Sequence, residues 1–146
     1  MLPSSARRPD VRIFIDTNVL ISAALFPNGV AANAFERAVS TPNDPIVSDY
    51  VIDELRRVFA RKFPKKLPAL DTFLAAISSC IEIVVTPNLE MEEESRVRDP
   101  KDRPVYRAAE FAKSDILLTG DKDLLESGVE HPKILTASDF LKLSDN

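Results

Sequence analysis

The stretch VRIFIDTNVLISAAL, residues 11–25, is the one from which the rest of the chain can be read. Residues 11–15 are a short run of β-branched and aromatic residues, the composition of a buried strand. Asp16 follows at once, then Thr17 and Asn18, both good helix N-cap residues, ahead of Val19-Leu20-Ile21. A carboxylate is therefore expected at the C-terminal tip of a strand, where open α/β sheets bind ligands. Asp16 either caps the next helix or belongs to a site. A desolvated charge without a partner is costly, and three further acids at comparable places favour a site.

Outward from that stretch, strand-like and helical patterns alternate. Phe26-Pro27-Asn28-Gly29 is a turn by composition. The spacing predicts a helix over 30–40, a strand over 46–48, and an amphipathic helix over 49–63 ended by Pro64. A helix over 68–80 and a strand over 81–85 follow. A helix over 102–113 has Pro104 in its first turn. Then come a strand over 116–118, a short helix over 121–127, a strand over 134–135, and a helix over 138–143 capped by Ser138. Strands alternating with helices predict a parallel sheet with helices on both faces. Residues 1–10 read as a mobile tail and 11–146 as a single domain. The polar run 88–101, with Glu90, Glu92, Glu93 and Glu94, reads as a solvated face without chemistry. Cys80 reads as buried and inert, and His131 as an ordinary surface residue.

Composition excludes several chemistries. One cysteine and one histidine leave no disulfide, no cysteine zinc site and no Ser-His-Asp arrangement to build. Three glycines cannot write a P-loop or a dinucleotide fingerprint. With 19 basic and 23 acidic residues the net charge is −4, so nucleic-acid affinity would have to come from a local patch. No apolar run reaches the length of a membrane span, no secretory pattern opens the chain, and a single cysteine suits the cytoplasm.

Four acids fall at or beside the C-terminal edge of the predicted sheet. Asp16 ends the first strand, and Asp121 lies two residues past Thr119, after the 116–118 strand. On the 49–63 helix the apolar stripe is Val51, Ile52, Leu55, Val58 and Phe59. At roughly 100° per residue Glu54 lies beside that stripe and Asp53 points to solvent. In Arg98-Asp99-Pro100-Lys101-Asp102-Arg103-Pro104, Asp99 precedes a proline and is pushed out of helical geometry. Asp102 is the better inward candidate and Asp99 the fallback, with Asp123 a weaker candidate still. Converging carboxylates repel and raise one another's pKa values. A hard divalent cation such as Mg²⁺ or Mn²⁺, which prefers oxygen ligands, resolves that conflict and also suits phosphodiester cleavage.

These residues resemble a known family. Ile15-Asp16-Thr17-Asn18-Val19-Leu20 resembles the opening motif of PIN-domain ribonucleases, and Ser48 followed by Glu54 matches their second acidic position. Asp99-Pro100-Lys101-Asp102-Arg103-Pro104 looks like the third, and Leu118-Thr119-Gly120-Asp121-Lys122-Asp123 like the fourth. The Asp-Pro-x-Asp form and the Thr-Gly-Asp-Lys-Asp ending are similar to the VapC-like toxins of toxin–antitoxin pairs. The resemblance covers about 11–143. It implies a three-layer α/β/α fold and a Mg²⁺- or Mn²⁺-dependent endoribonuclease that cleaves RNA with a metal-activated water. By that analogy Asp16, Glu54, Asp102 and Asp121 hold the metal, while Asn18 and Thr119, with Ser48, support the site. It also implies a homodimer and a small antitoxin partner. The doubled acid, Asp99 and Asp102, leaves the third ligand open.

Arg56, Arg57, Arg61, Lys62, Lys65 and Lys66 fall in 55–70, a segment with no acid. Functionally they would hold RNA phosphates, with salt-sensitive binding; the bland reading is a solvated helix face. Phe59 and Phe63 read as core. Two other functions compete. One is a PIN-like fold that binds RNA or protein with little catalysis. The other is phosphoryl transfer to an aspartate, which wants a second acid two residues after the nucleophile, where Asn18 stands.

Overall fold

The computed structural model describes residues 10–143; the tail expected at 1–10 lies outside them apart from Asp10. Five strands form one parallel sheet: β1 (Arg12–Ile15), β2 (Asp44–Ser48), β3 (Glu82–Val84), β4 (Ile116–Leu118) and β5 (Lys133–Leu135). Their order is β3-β2-β1-β4-β5. The helices are α1 (Thr17–Leu25), α2 (Val30–Val39), α3 (Asp49–Lys62), α4 (Leu67–Ile77), α5 (Arg103–Phe111), α6 (Lys122–Leu125) and α7 (Ala137–Leu141). Ile13, Phe14 and Ile15 of β1 are fully buried, as are Leu117 and Leu118 of β4. A strand covered on both faces reads as an unbroken apolar run, as β1 does.

β2 starts two residues earlier than its apolar core predicts and carries Pro45 between two neighbours. The Asp44 N–H donates to Val11 O of the β1 side at 2.8 Å. By alternation the Pro45 nitrogen faces β3, whose pairing begins one residue later at Ile46↔Glu82, so the missing N–H costs no ladder bond.

Right-handed crossovers place the helices after β1 and β2 on one face and α5 on the other, giving three layers, α/β/α. α1 packs on α2 and α3, α3 on α4, and α2 on α7; α5 packs against the turns Glu92–Arg96 and Pro100–Asp102. The chain leaves β1 towards β2 but leaves β4 towards β5. The crevice between the C-terminal ends of β1 and β4 is thus the topological switch point, where such sheets bind ligands.

Three expectations are corrected. The last helix is capped by Thr136, not Ser138: its Oγ1 accepts from Asp139 N at 3.0 Å. Cys80 is exposed, because α4 ends at Ile77 and the turn that follows sends Ile81 inward instead. The acidic run is not wholly solvated. Glu94 is buried, and Arg107 of α5 grips it twice, Nε to Oε1 at 2.9 Å and Nη2 to Oε2 at 2.7 Å. Met91 N adds a third donor at 2.7 Å. The partner that permits burial lies thirteen residues downstream, outside any local pattern. His131 is exposed, as expected, with Nδ1 2.6 Å from Glu110 Oε1.

Candidate metal centre

Asp16 terminates β1, and its backbone N–H still bonds to Leu118 O of β4 at 3.0 Å, so the carboxylate is fixed at the switch point. The capping reading of Asp16 holds, and capping uses only one of its two oxygens. It is the N-cap of α1, with Oδ1 accepting from Thr17 N at 2.7 Å. Its other oxygen, Oδ2, accepts from Thr119 Oγ1 at 2.7 Å and Asn18 Nδ2 at 3.1 Å. The residue is only 3% exposed. Burial pushes its carboxyl up to about 6 from the usual 3.8; the bonds from Thr119 and Thr17 oppose this, and the nearby charges of Glu54 and Asp121 add to it.

The other acids are held by their own local devices. Ser48, fully buried, caps α3 by accepting from Val51 N at 3.2 Å and so sets the phase that turns Glu54 towards the crevice. Thr17 Oγ1 then donates to Glu54 Oε1 at 2.6 Å. Asp53 is exposed on the opposite side. Thr119 Oγ1 accepts from Asp121 N at 3.0 Å while donating to Asp16, linking the β4 tip to the β1 tip. Asn18 closes the same link, its Oδ1 accepting from Gly120 N at 2.8 Å. Asp121 caps α6, its Oδ1 accepting from Asp123 N at 3.1 Å.

Asp102 ends the 3₁₀ turn Pro100–Asp102 and makes no cap bond. Partial burial raises its carboxyl to about 8, helped by a hydrogen bond shared with the Asp121 carboxyl and by the charges of Asp121, Asp16 and Asp99. Asp16, Glu54, Asp102 and Asp121 thus come into one field from four separate segments. Among the described residues no lysine or arginine forms an ion pair with any of the four.

The two fallback acids stand close to Asp102. Carboxylate oxygens of Asp99, Asp102 and Asp123 lie within 4.8 Å of one another, a spacing a single cation could bridge. Asp102 is the member common to both groups, so Asp99 and Asp102 do not exclude each other. Asp99 also caps its turn, accepting from Lys101 N at 3.0 Å, and Asp123 is paired with Arg98 Nε at 2.7 Å. An all-carboxylate donor set of this kind fits a hard divalent cation and excludes soft metals.

Sequence reasoning missed Thr17 and Tyr50. The Tyr50 hydroxyl donates to Lys101 O at 2.7 Å, tying the first turn of α3 to the Pro100–Asp102 turn. Burial, and then the charge of Glu54, raise its pKa, with Arg57 opposing and Asp102 and Asp16 adding smaller effects. Thr17 stands beside Asp16, and its hydroxyl could have been weighed; Tyr50 carries no local signal. Arg56, Arg57, Arg61 and Lys62 are all exposed. They differ in how free they are: Arg56 is spent on Asp71 at 2.7 Å, whereas Arg57 has no ion-pair partner among the described residues and feels the Tyr50 side of the cluster.

The fold is shared with several solved proteins. One is VapBC2 from Rickettsia felis, bound to a DNA fragment from its promoter: TM-score 0.65 and 17% identity, over 86% of this chain and 98% of that one. Another is Mycobacterium tuberculosis VapC20, described as a sarcin-ricin loop cleaving toxin: TM-score 0.56 and 16% identity, over 80% and 95%. An uncharacterized protein of Methanocaldococcus jannaschii, MJ1680, is 27% identical over 145 residues, 90% of each chain. Residues 12–123 match the PIN domain family, a span that runs from β1 into α6 and holds every acid of the cluster, and the chain belongs to that family.

Proposed function

We propose that this protein is a Mg²⁺- or Mn²⁺-dependent endoribonuclease, the toxin of a toxin–antitoxin pair. The observation that supports the reading is that Asp16 feels the charges of Glu54 and Asp121, and Asp102 those of Asp121 and Asp16, while no lysine or arginine among the described residues pairs with any of the four. A polyanionic substrate would be repelled by that cluster alone. A divalent ion held there would offset the carboxylate charge, activate water and neutralise charge building on the phosphate. The chain's part is positioning. Three donors fix Asp16, Thr17 holds Glu54, the α6 cap aims Asp121, and Tyr50 holds the turn that presents Asp102. Burial and the shared hydrogen bond with Asp121 raise the Asp102 carboxyl, so this pair of acids favours holding a proton, and a divalent ion bound there would disfavour it.

RNA as substrate, a small antitoxin partner and a homodimer in the cytoplasm complete the proposal. Support comes from the description of VapC20 as a sarcin-ricin loop cleaving toxin and from the likeness to Rickettsia felis VapBC2 bound to a DNA fragment from its promoter. The test is a synthetic single-stranded RNA incubated with Mn²⁺ or with EDTA, beside an Asp16→Asn variant. Cleavage that needs Mn²⁺ and disappears in the variant is expected; cleavage surviving either change overturns the mechanism. If no RNA is cut and Mn²⁺ leaves the melting temperature unmoved, the fold serves as a binding module.

A further inference from the structure

A cleft of about 370 Å³ opens where α5, the turn Glu92–Arg96 and the loop 126–132 before β5 meet, and the cleavage reading uses none of its walls. Tyr106 and Glu110 of α5 line it, four and eight residues past Asp102. At the helical rise they stand roughly 6 and 12 Å further along the axis than that acid. Glu93 and Glu130 join Glu110 from the other two segments, so three carboxylates line one space, with Met91 and Val129 as its apolar wall.

The basic groups in the cleft are fewer and already engaged. Arg96 donates Nη1 to Gly128 O at 3.2 Å, and His131 Nδ1 lies 2.6 Å from Glu110 Oε1. An anion would therefore meet more repulsion than attraction. Tyr106 is 2% exposed, yet its hydroxyl reaches just one acceptor, His131 O at 3.5 Å, longer than the roughly 2.5–3.0 Å of an O–H···O bond. Buried hydroxyls are normally satisfied, and this one has bonding capacity left for a ligand. Burial, then the charges of Glu110 and Glu93, push it up to about 12, with Arg96 opposing, so it stays protonated among those acids.

We propose that this cleft binds a small aliphatic diamine or polyamine, one ammonium between Glu110 and the Tyr106 hydroxyl, a second at Glu93 and Glu130, and the methylene chain on Met91 and Val129. Glu110 is partly buried while Glu93 and Glu130 are exposed, so the acids mark an inner and an outer position for two positive charges. Glu110 spends Oε1 on His131, and its other oxygen has no partner among the described residues. A bare metal ion would leave the apolar wall uncovered, and a single ammonium would leave one end unpaired. Bound there, the chain would join the same three segments that the Arg96 and His131 contacts already tie together.

The test titrates 1,4-diaminobutane and 1-aminobutane into the full chain by calorimetry, for wild type, Glu110→Gln, Glu93→Gln, Tyr106→Phe and Asp102→Asn, with the melting temperature of each recorded. Diamine affinity should fall about tenfold in Glu110→Gln, the scale of one charge-assisted hydrogen bond, and a few-fold in Glu93→Gln and Tyr106→Phe. Asp102→Asn should bind the diamine like wild type, and the monoamine should bind wild type about tenfold more weakly than the diamine does. No diamine binding by wild type overturns the proposal. So does unchanged affinity in the Glu110 and Glu93 variants, whose partly exposed side chains can be replaced without emptying the core. A loss in Asp102→Asn as large as in Glu110→Gln places the amine at the other acids, or in diffuse attraction to a chain of net charge −4, and overturns it too. A monoamine that binds as tightly as the diamine removes the two-charge site. Neither RNA nor Mn²⁺ enters the titration, so its failure and that of the ribonuclease reading are separate results.

Discussion

Two acids, Glu94 and Asp16, are each 3% exposed, yet they sit in opposite electrostatic conditions. Glu94 has its cation built in: Arg107 grips both oxygens and holds the carboxyl below its usual value. Asp16 has hydrogen-bond donors, but the charges that act on it are those of Glu54 and Asp121, both acids, and its carboxyl is pushed up to about 6. Burial alone therefore says little about an acid's role. The charge standing opposite separates a structural ion pair from a site that attracts a cation from outside.

Several experiments can break or sharpen that contrast. Asp16→Asn should lower Mn²⁺-dependent turnover by on the order of 10³-fold, the scale of losing a preorganised electrostatic group; Glu94→Gln should leave turnover within a few-fold, measured on the same RNA. The order inverts for stability. Arg107→Leu strands a buried carboxylate and should cost about 3 kcal/mol in urea unfolding, while the Mn²⁺-induced melting shift persists.

The pH dependence follows from the raised values. With Asp16 at about 6 and Asp102 at about 8, the metal-free folded protein holds more protons than the unfolded chain between about pH 4 and pH 8. Its stability should therefore fall as pH rises through that window and level off above it. The Asp16 share of the loss is about 3 kcal/mol. Mn²⁺ should offset the loss, so its melting shift should grow from pH 5 to pH 8. A shift independent of pH would count against a clustered site.

Asp102→Asn is a cleaner relief of repulsion than Asp16→Asn, because Asp16 Oδ2 already takes two donors that an amide nitrogen could not satisfy. Without metal at pH 8 it should stabilise by about 1 kcal/mol, or about 3 °C in melting temperature, and abolish the Mn²⁺ shift. The smallest effect is on the substrate side. Arg57→Ala should reduce the salt slope of RNA binding by about 1. Arg56→Ala should change it less, since that guanidinium is already paired with Asp71.

Much of the candidate site was legible in the chain because its parts are local. A strand ending in Asp16, an apolar stripe from Val51 to Phe59 that sets Glu54 beside it, and Thr119 two residues before Asp121 are each written within a few residues. Side-chain period and cap chemistry suffice to place them. The alternation of apolar runs with helical spacing likewise predicted the parallel sheet, because both faces of β1 and β4 must be apolar to lie between helix layers.

What the residues by themselves determined is therefore the element order, the sheet type and which acids stand at strand tips. Tertiary structure alone decided the rest: that Glu94 meets Arg107, that Tyr50 pins the turn carrying Asp102, that Asp99 and Asp123 gather around Asp102, and that Cys80 faces water. The physical reason is range. Periodicity and capping act within a turn or two, whereas a charge is made tolerable or intolerable by whatever the fold sets against it, and that partner can lie anywhere in the chain.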